Sequence, residues 1–166
     1  MARRFRGEFH QKVDSKGRMS IPASFRRVLE AGDPEWADGL NPQLVVLYGD
    51  HLRDSLHCYT IEAFMEIEDD ILSLPRGSDE RRYLSRTILG QSLTTDMDKD
   101  GRLVLPKRQR DKIGLDEQVF FIAAGDHFQI WKPETYDDVE AGVVPEALKG
   151  QADDFDPLIL LDQARD

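Results

Sequence analysis

An α+β fold, assembled from two tandem copies of one small unit with helices linking them, is what this 166-residue sequence predicts. Three observations carry the expectation. First, "VDSKGRMSIP" (13–22) recurs as "MDKDGRLVLP" (97–106), with Asp14 falling on Asp98, Gly17 on Gly101, Arg18 on Arg102 and Pro22 on Pro106. Each pair is 84 residues apart (98 − 14, 102 − 18, 106 − 22). Second, an apolar run follows each copy, "LVVLYG" at 44–49 and "VFFIAAG" at 119–125. Third, Ile61-Glu62-Ala63-Phe64 matches Pro133-Glu134-Thr135-Tyr136 at an offset of 72, so the first copy holds twelve more residues, about where the punctuated segment "AGDPEWADGLNP" reads as a long loop. A half of about 50 residues buries too little apolar surface to be stable alone. Two halves packed about a pseudo-two-fold axis share one core.

The elements follow in order. Asp at the first position of a turn accepts bonds from the backbone two residues on, and Gly at the fourth supplies positive φ without steric cost. Asp14-Ser15-Lys16-Gly17 and Asp98-Lys99-Asp100-Gly101 are therefore expected as hairpin tips, with Arg18 and Arg102 opening the return strands. Asp14, Gly17, Asp98 and Gly101 are the structural residues of those turns. Pro22 and Pro106 suit the first position of a helix, and "PASFRRVLEAG" and "PKRQRDKIG" fit short helices stopped by Gly32 and Gly114. The apolar runs and the segments "HCYTI" and "FQIW" are strand-like.

The joining region, 61–90, has helical spacing. Ile61, Phe64, Met65, Ile67, Ile71 and Leu72 form one stripe ended near Pro75. In "SDERRYLSRTILG", Ser78 suits an N-cap and Tyr83, Leu84, Ile88 and Leu89 an apolar face. The expected organisation is a first repeat with its following helix at 1–75, a linking helix at 76–90, a second repeat at 91–142 and an acidic extension at 143–166. Within that extension "PLILL" (157–161) suggests a docking strand or a disordered anchor.

Composition narrows the functions. There is no apolar run long enough for a membrane span and no signal-peptide pattern. The single cysteine, Cys58, excludes an internal disulfide, suits a reducing cytoplasm and falls in a probable strand as a small apolar residue. His10, His51, His57 and His127 show no metal spacing, and no nucleophile elbow or phosphate loop is present, so neither a metal nor another cofactor nor an enzymatic activity is expected. Net charge is −10 but unevenly spread. Residues 1–30 hold eight arginines and lysines against three acids, whereas residues 133–166 hold two against ten. A one-sided field of this kind lets an acidic chain meet DNA through one basic face.

The aspartates of the second copy raise a calcium alternative. An EF-hand loop starting at Asp96 would use Asp98 and Asp100, but its twelfth position is Lys107, where a bidentate acid is required, and its seventh and ninth are Arg102 and Val104. A calcium-binding module therefore stays a minor alternative, beside a protein-interaction ring whose basic turns meet an acidic partner instead of DNA.

The stretches "FRGEFHQKVDSKGRMSIP" (5–22), "DKDGRLVLP" (98–106) and "AAGDHFQIWKPETY" (123–136) together resemble the MraZ family, the two-repeat members of the AbrB-like, swapped-hairpin transcription factors. The likeness covers roughly residues 5–142. It implies two AbrB-like swapped-hairpin β-barrel repeats forming an intramolecular pseudo-dimer. It also implies a cytoplasmic, nucleoid-associated bacterial regulator of the division and cell-wall gene cluster, binding promoter direct repeats of double-stranded DNA as a ring-like homo-oligomer. The family's DNA-contacting turn falls on Asp14, Lys16 and Arg18, and in the second copy on Asp98 and Arg102. Asp100 departs from the pattern, standing where Lys16 stands in the first copy, so the first turn is expected to dominate. Arg18 is the expected base-reading residue, Lys16, Arg3, Arg4 and Arg6 the expected phosphate contacts, and Arg102 either a helper or a structural residue. The competing role for Arg18 is a pair with Asp14 that only holds the turn shut.

Overall fold

A computed structural model describes residues 4–150 and 155–165. The architecture is α+β. The chain runs β1 (Glu8–Lys12), β2 (Arg18–Ser20), α1 (Ala23–Ala31), β3 (Gln43–Leu47), β4 (Ser55–Tyr59) and α2 (Ile61–Leu72). After α3 (Asp79–Leu84) and a π-helical turn (Ser85–Leu89) come β5 (Ser92–Asp96), β6 (Arg102–Val104), α4 (Lys107–Lys112), β7 (Gln118–Ala123), β8 (His127–Trp131) and α5 (Pro133–Val139). A 3-10 turn (Glu146–Leu148) and α6 (Ile159–Arg165) complete it. Strand, strand, helix, strand, strand, helix thus occurs twice in the same order.

Six strands form one sheet in the order β1-β7-β8-β4-β3-β5, and β2 and β6 form a separate two-stranded ribbon. All the pairings are antiparallel, and most cross between the halves. β1 lies on β7 with Phe9 opposite Phe121, β5 lies on β3 with Thr94 opposite Val45, and β4 lies on β8 with His57 opposite Gln129. In the ribbon Arg18 faces Val104, Met19 faces Leu103 and Ser20 faces Arg102. The strands flanking each turn therefore do not pair along their length as a simple hairpin would. β1 and β5 are the sheet's two edges, and the chain leaves each of them through a turn into the ribbon. Each pairs on one side, with a strand of the opposite half.

The core lies between the inner face of the sheet, the ribbon and α1. Met19, Leu103, Ile21 and Leu105 from the ribbon meet Leu44, Val46, Leu56, Cys58, Val119, Phe121, Phe128 and Ile130 from the sheet. Cys58 is fully buried among them, as its strand position implies, and burial raises its thiol's pKa far above the ordinary value. Phe25 of α1 sits at the centre, edge-on to Phe5 and Phe9 at 5.4 and 5.3 Å and tilted over Phe128 at 4.8 Å. Truncating a core phenylalanine of this kind to alanine costs about 3–5 kcal/mol. On the other face, α2 and the π-helical turn cover Val45, Leu47 and Tyr59 with Phe64, Ile61, Ile67, Ile88 and Leu89.

Local structure departs from the sequence expectations at four places. Pro22 and Pro106 stand one residue before their helices, extended at ψ 140° and 150°, rather than at the first helical position. Met65 and Leu72, assigned to the apolar stripe of α2, are half exposed; the stripe that packs is Phe64, Ile67 and Ile71. Ser78 does cap α3, its Oγ accepting from the Arg81 amide at 3.3 Å, but the following helix widens into a π turn. Thr87 in that turn is buried, while Tyr83, assigned to the apolar face, is exposed. Finally "PLILL" is neither strand nor disordered: it leads into helix α6, with Leu158 and Leu161 exposed. A proline-started apolar run with Asp162 in its first turn favours helix. Among the described residues no helix is long and apolar enough to cross a membrane.

Candidate nucleic-acid interface

The two turns are built alike, and their chemistry starts at the aspartate. In the first, the Asp14 amide donates to the Arg18 carbonyl at 3.1 Å and the Gly17 amide to the Asp14 carbonyl at 3.0 Å. Asp14 Oδ1 accepts from the amides of Lys16 (3.0 Å) and Arg18 (2.9 Å), and Oδ2 accepts from Arg18 Nε at 2.5 Å. The second turn repeats this set. Asp98 N–H meets the Arg102 carbonyl at 2.8 Å, Oδ1 accepts from the Asp100 and Arg102 amides at 2.9 Å each, and Oδ2 accepts from Arg102 Nε at 2.9 Å. Gly17 and Gly101 take φ of 82° and 75°, the left-handed conformation the turns require.

These bonds fix the carboxylates as anions. The Arg18 amide, ahead of the Arg18 side chain and the Lys16 amide, lowers the Asp14 pKa. At Asp98 burial pulls upward, but the amides of Arg102 and Asp100 with the Arg102 side chain outweigh it, and the net shift is again downward. Asp98 is thus committed to closing its turn. Among the described residues no group of three or more histidine, cysteine, aspartate or glutamate side chains is disposed to hold a metal ion.

Arg18 and Arg102 share the outward face of the ribbon, since Met19 and Leu103 between them point into the core. Their side chains are 35% and 30% exposed, so neither apex is sealed inside the subunit. Ser15, Lys16, Lys99 and Asp100 at the tips are exposed. The two arginines are held differently. Arg18 is gripped only through Nε, and its two terminal nitrogens make no hydrogen bond among the described residues. Arg102 is gripped through Nε and also donates from Nη2 to Asp100 Oδ2 at 3.2 Å. The pair Arg18–Asp14 expected as an alternative is therefore present, yet it leaves the far edge of the guanidinium available.

The N-terminal arginines lie elsewhere. Arg4 and Arg6 are exposed but flank Phe5, whose amide bonds to Gly125 at the turn between β7 and β8. That is the far end of β1 from Lys16: the eight residues from Arg6 to Asp14 run largely extended, roughly 25 Å at about 3.3 Å per residue. The course of β1 along β7 thus separates Arg4 and Arg6 from the turn. Arg3 lies outside the described residues.

Three features of the site were missed at the level of sequence. Each turn is braced by the other half. The Leu105 amide donates to the Gly17 carbonyl at 2.9 Å, and the Ile21 amide to the Gly101 carbonyl at 3.2 Å. A Cβ on Gly17 would lie 2.4 Å from the Leu105 carbonyl oxygen and 2.6 Å from Arg110 Nε; one on Gly101 would lie 2.7 Å from Arg26 Nη1. Arg26 and Arg110 occupy equivalent positions in α1 and α4, 84 residues apart (110 − 26), and that repeated arginine was the signal available. Arg110 Nε donates to the Leu105 carbonyl at 3.0 Å, whereas Arg26 Nε is buried with no hydrogen-bond partner among the described residues.

The family model described as MraZ protein matches residues 4–86 and again 88–154. The protein named transcriptional regulator MraZ in a Ruegeria species is 60% identical over 164 residues, covering 99% of this chain and 98% of its own length. The protein of the same name in Ruegeria pomeroyi is equally similar, and that of Cereibacter sphaeroides is 47% identical over 82% of this chain.

Proposed function

The chain belongs to the MraZ family, and from that premise we propose that it is a DNA-binding transcriptional regulator that reads promoter repeats through the first turn of its ribbon. The observation that carries the reading is Arg18. It stands on an exposed two-stranded ribbon beside an exposed Lys16, oriented by Asp14 through Nε and with its terminal nitrogens unengaged among the described residues. The major groove admits a two-stranded ribbon, and a guanidinium held this way suits a bidentate contact to guanine O6 and N7, worth about 1–3 kcal/mol of discrimination. Lys16 suits a phosphate, which positions without specifying. Arg102 belongs to the structure of its turn, because Asp98 and Asp100 both hold it. Arg4 and Arg6 stand apart from this contact.

The two halves act as AbrB-like swapped-hairpin repeats in an intramolecular pseudo-dimer. The regulated genes are those of the division and cell-wall cluster, and the working form is a ring-like homo-oligomer in the cytoplasm, associated with the nucleoid. A single ribbon makes few contacts. Several ribbons engaging direct repeats together gain on the order of 10²–10⁴ in avidity. The deciding experiment is a gel shift with the duplex lying directly upstream of this protein's own gene against an unrelated duplex of equal length. Preferential binding of the upstream duplex, weakening steeply from low to moderate salt, is the expected result. Equal or absent binding at low salt refutes the reading.

A further inference from the structure

We infer that Lys107 and Arg108, at the start of α4, are phosphate-binding residues of the first turn's DNA contact, so that the reading surface is a composite of both halves. The inference rests on the DNA-binding reading above and names where its anchoring charge comes from.

The crossed bracing of the turns is the ground for it. In the ribbon, Arg18 lies opposite Val104, and the next residue, Leu105, donates its amide to the carbonyl of Gly17. Pro106 then turns the chain, and α4 begins at Lys107. Two residues after touching Gly17, the second half therefore sets Lys107 and Arg108 beside the apex that carries Lys16. Both are exposed. Arg110, one turn of helix further, packs against Gly17 itself.

The equivalent place at the second turn has different chemistry. There Ile21 touches Gly101, Pro22 turns the chain and α1 begins with Ala23 and Ser24, both uncharged. The apex it flanks carries Asp100. Lys16, Arg18, Lys107 and Arg108 thus gather at one apex. The other gathers Lys99, Asp100, Arg102 and the neutral Ala23 and Ser24, with Arg26 against Gly101 and Arg27 lining the same hollow as Lys99. Of the acids near the first apex, Asp14 is engaged by Arg18 and Asp111 by Lys107 at 2.6 Å in a solvent-exposed pair of little energetic weight, while Glu117, whose carbonyl accepts from the Val13 amide, is exposed. Arg108 makes no ion pair among the described residues. A polyanion approaching the first apex therefore meets these four cations with no counterpart of Asp100 among them, and half of them are supplied by the second repeat.

The test uses the full chain and two duplexes, the upstream sequence and an unrelated one. Arg108→Gln, and Lys107→Gln with Arg108→Gln, should weaken binding to both duplexes by the same several-fold factor. The slope of log K against log salt should fall by about one for each charge removed. Lys99→Gln at the second apex should change neither quantity. All three substitutions are on exposed side chains, and thermal melting followed by circular dichroism verifies that the variants fold. An unchanged slope for Arg108→Gln, with wild type binding normally, overturns the inference while leaving the first turn's role intact. A loss from Lys99→Gln equal to that from Arg108→Gln overturns it too, since both apices would then be in contact. Failure of the wild-type chain to bind either duplex removes the parent reading and this one together.

Discussion

Asp100 accepts a hydrogen bond from Arg102 Nη2 at 3.2 Å, and the first turn has no counterpart to it, because Lys16 stands where Asp100 would be. Two turns with the same backbone bonds therefore present opposite electrostatics. One leaves an arginine edge beside a cation; the other folds the arginine back onto two carboxylates.

Arg18→Ala tests the base-reading role. The variant should fold and melt close to wild type, because a partly exposed pair across a turn contributes little. It should bind the upstream and unrelated duplexes alike in fluorescence anisotropy. Retained discrimination would assign base recognition to another residue.

Asp100→Asn removes an anion from the second apex and frees Arg102 Nη2. Since the first apex carries the contact, affinity for either duplex and its salt slope should stay at the wild-type values. Titrations at two salt concentrations decide it; tighter binding with a steeper slope would mean that DNA does approach that apex.

Gly17→Ala and Gly101→Ala should both destabilise, by about 1–2 kcal/mol from the left-handed backbone alone. The loss should be larger at Gly17. Its added Cβ meets a backbone oxygen, that of Leu105, while at Gly101 it meets first the end of the flexible Arg26 side chain. Urea unfolding of the two variants measures the difference, and equal losses would contradict the crossed bracing.

His57 predicts how stability depends on pH. Its ring stacks on His127 at 4.6 Å in the β4–β8 pair. Burial first, then the neighbouring His127 and His51, bring its pKa down from 6.5 to about 4. The folded state thus disfavours protonation, while the unfolded chain protonates near 6.5. Stability from this residue is complete above pH 6.5 and is lost as pH falls toward 4. Unfolding at pH 7.5, 5.5 and 4.5 should show the decline, and His57→Gln should flatten it.

Much of this was legible in the sequence. Asp, Gly and Arg at fixed spacing dictate a local turn, because their bonds close within five residues. Thr60 and Ser78 cap α2 and α3 for the same local reason. Which strand each edge would pair with was not legible. Alternating side chains determine the face a strand buries, and that pattern is equally satisfied by β1 pairing with β2 or with β7. The π turn at Ser85–Leu89 was hidden because a single extra residue leaves no compositional mark. At the site, Lys16 and Arg18 were visible as neighbours in sequence. Lys107 and Arg108 were not, since their proximity to that apex depends on the register that sets Leu105 against Gly17.

The interlaced hydrogen bonding of β1 with β7 and β5 with β3 has a mechanical consequence. The exposed link at Pro75–Gly77 is the only covalent join between two pieces that already clasp each other across four strand pairs. Tryptic cleavage after Arg76 would leave a nicked molecule migrating intact under native conditions, and the two fragments, expressed from separate reading frames, would complement one another into the same shape.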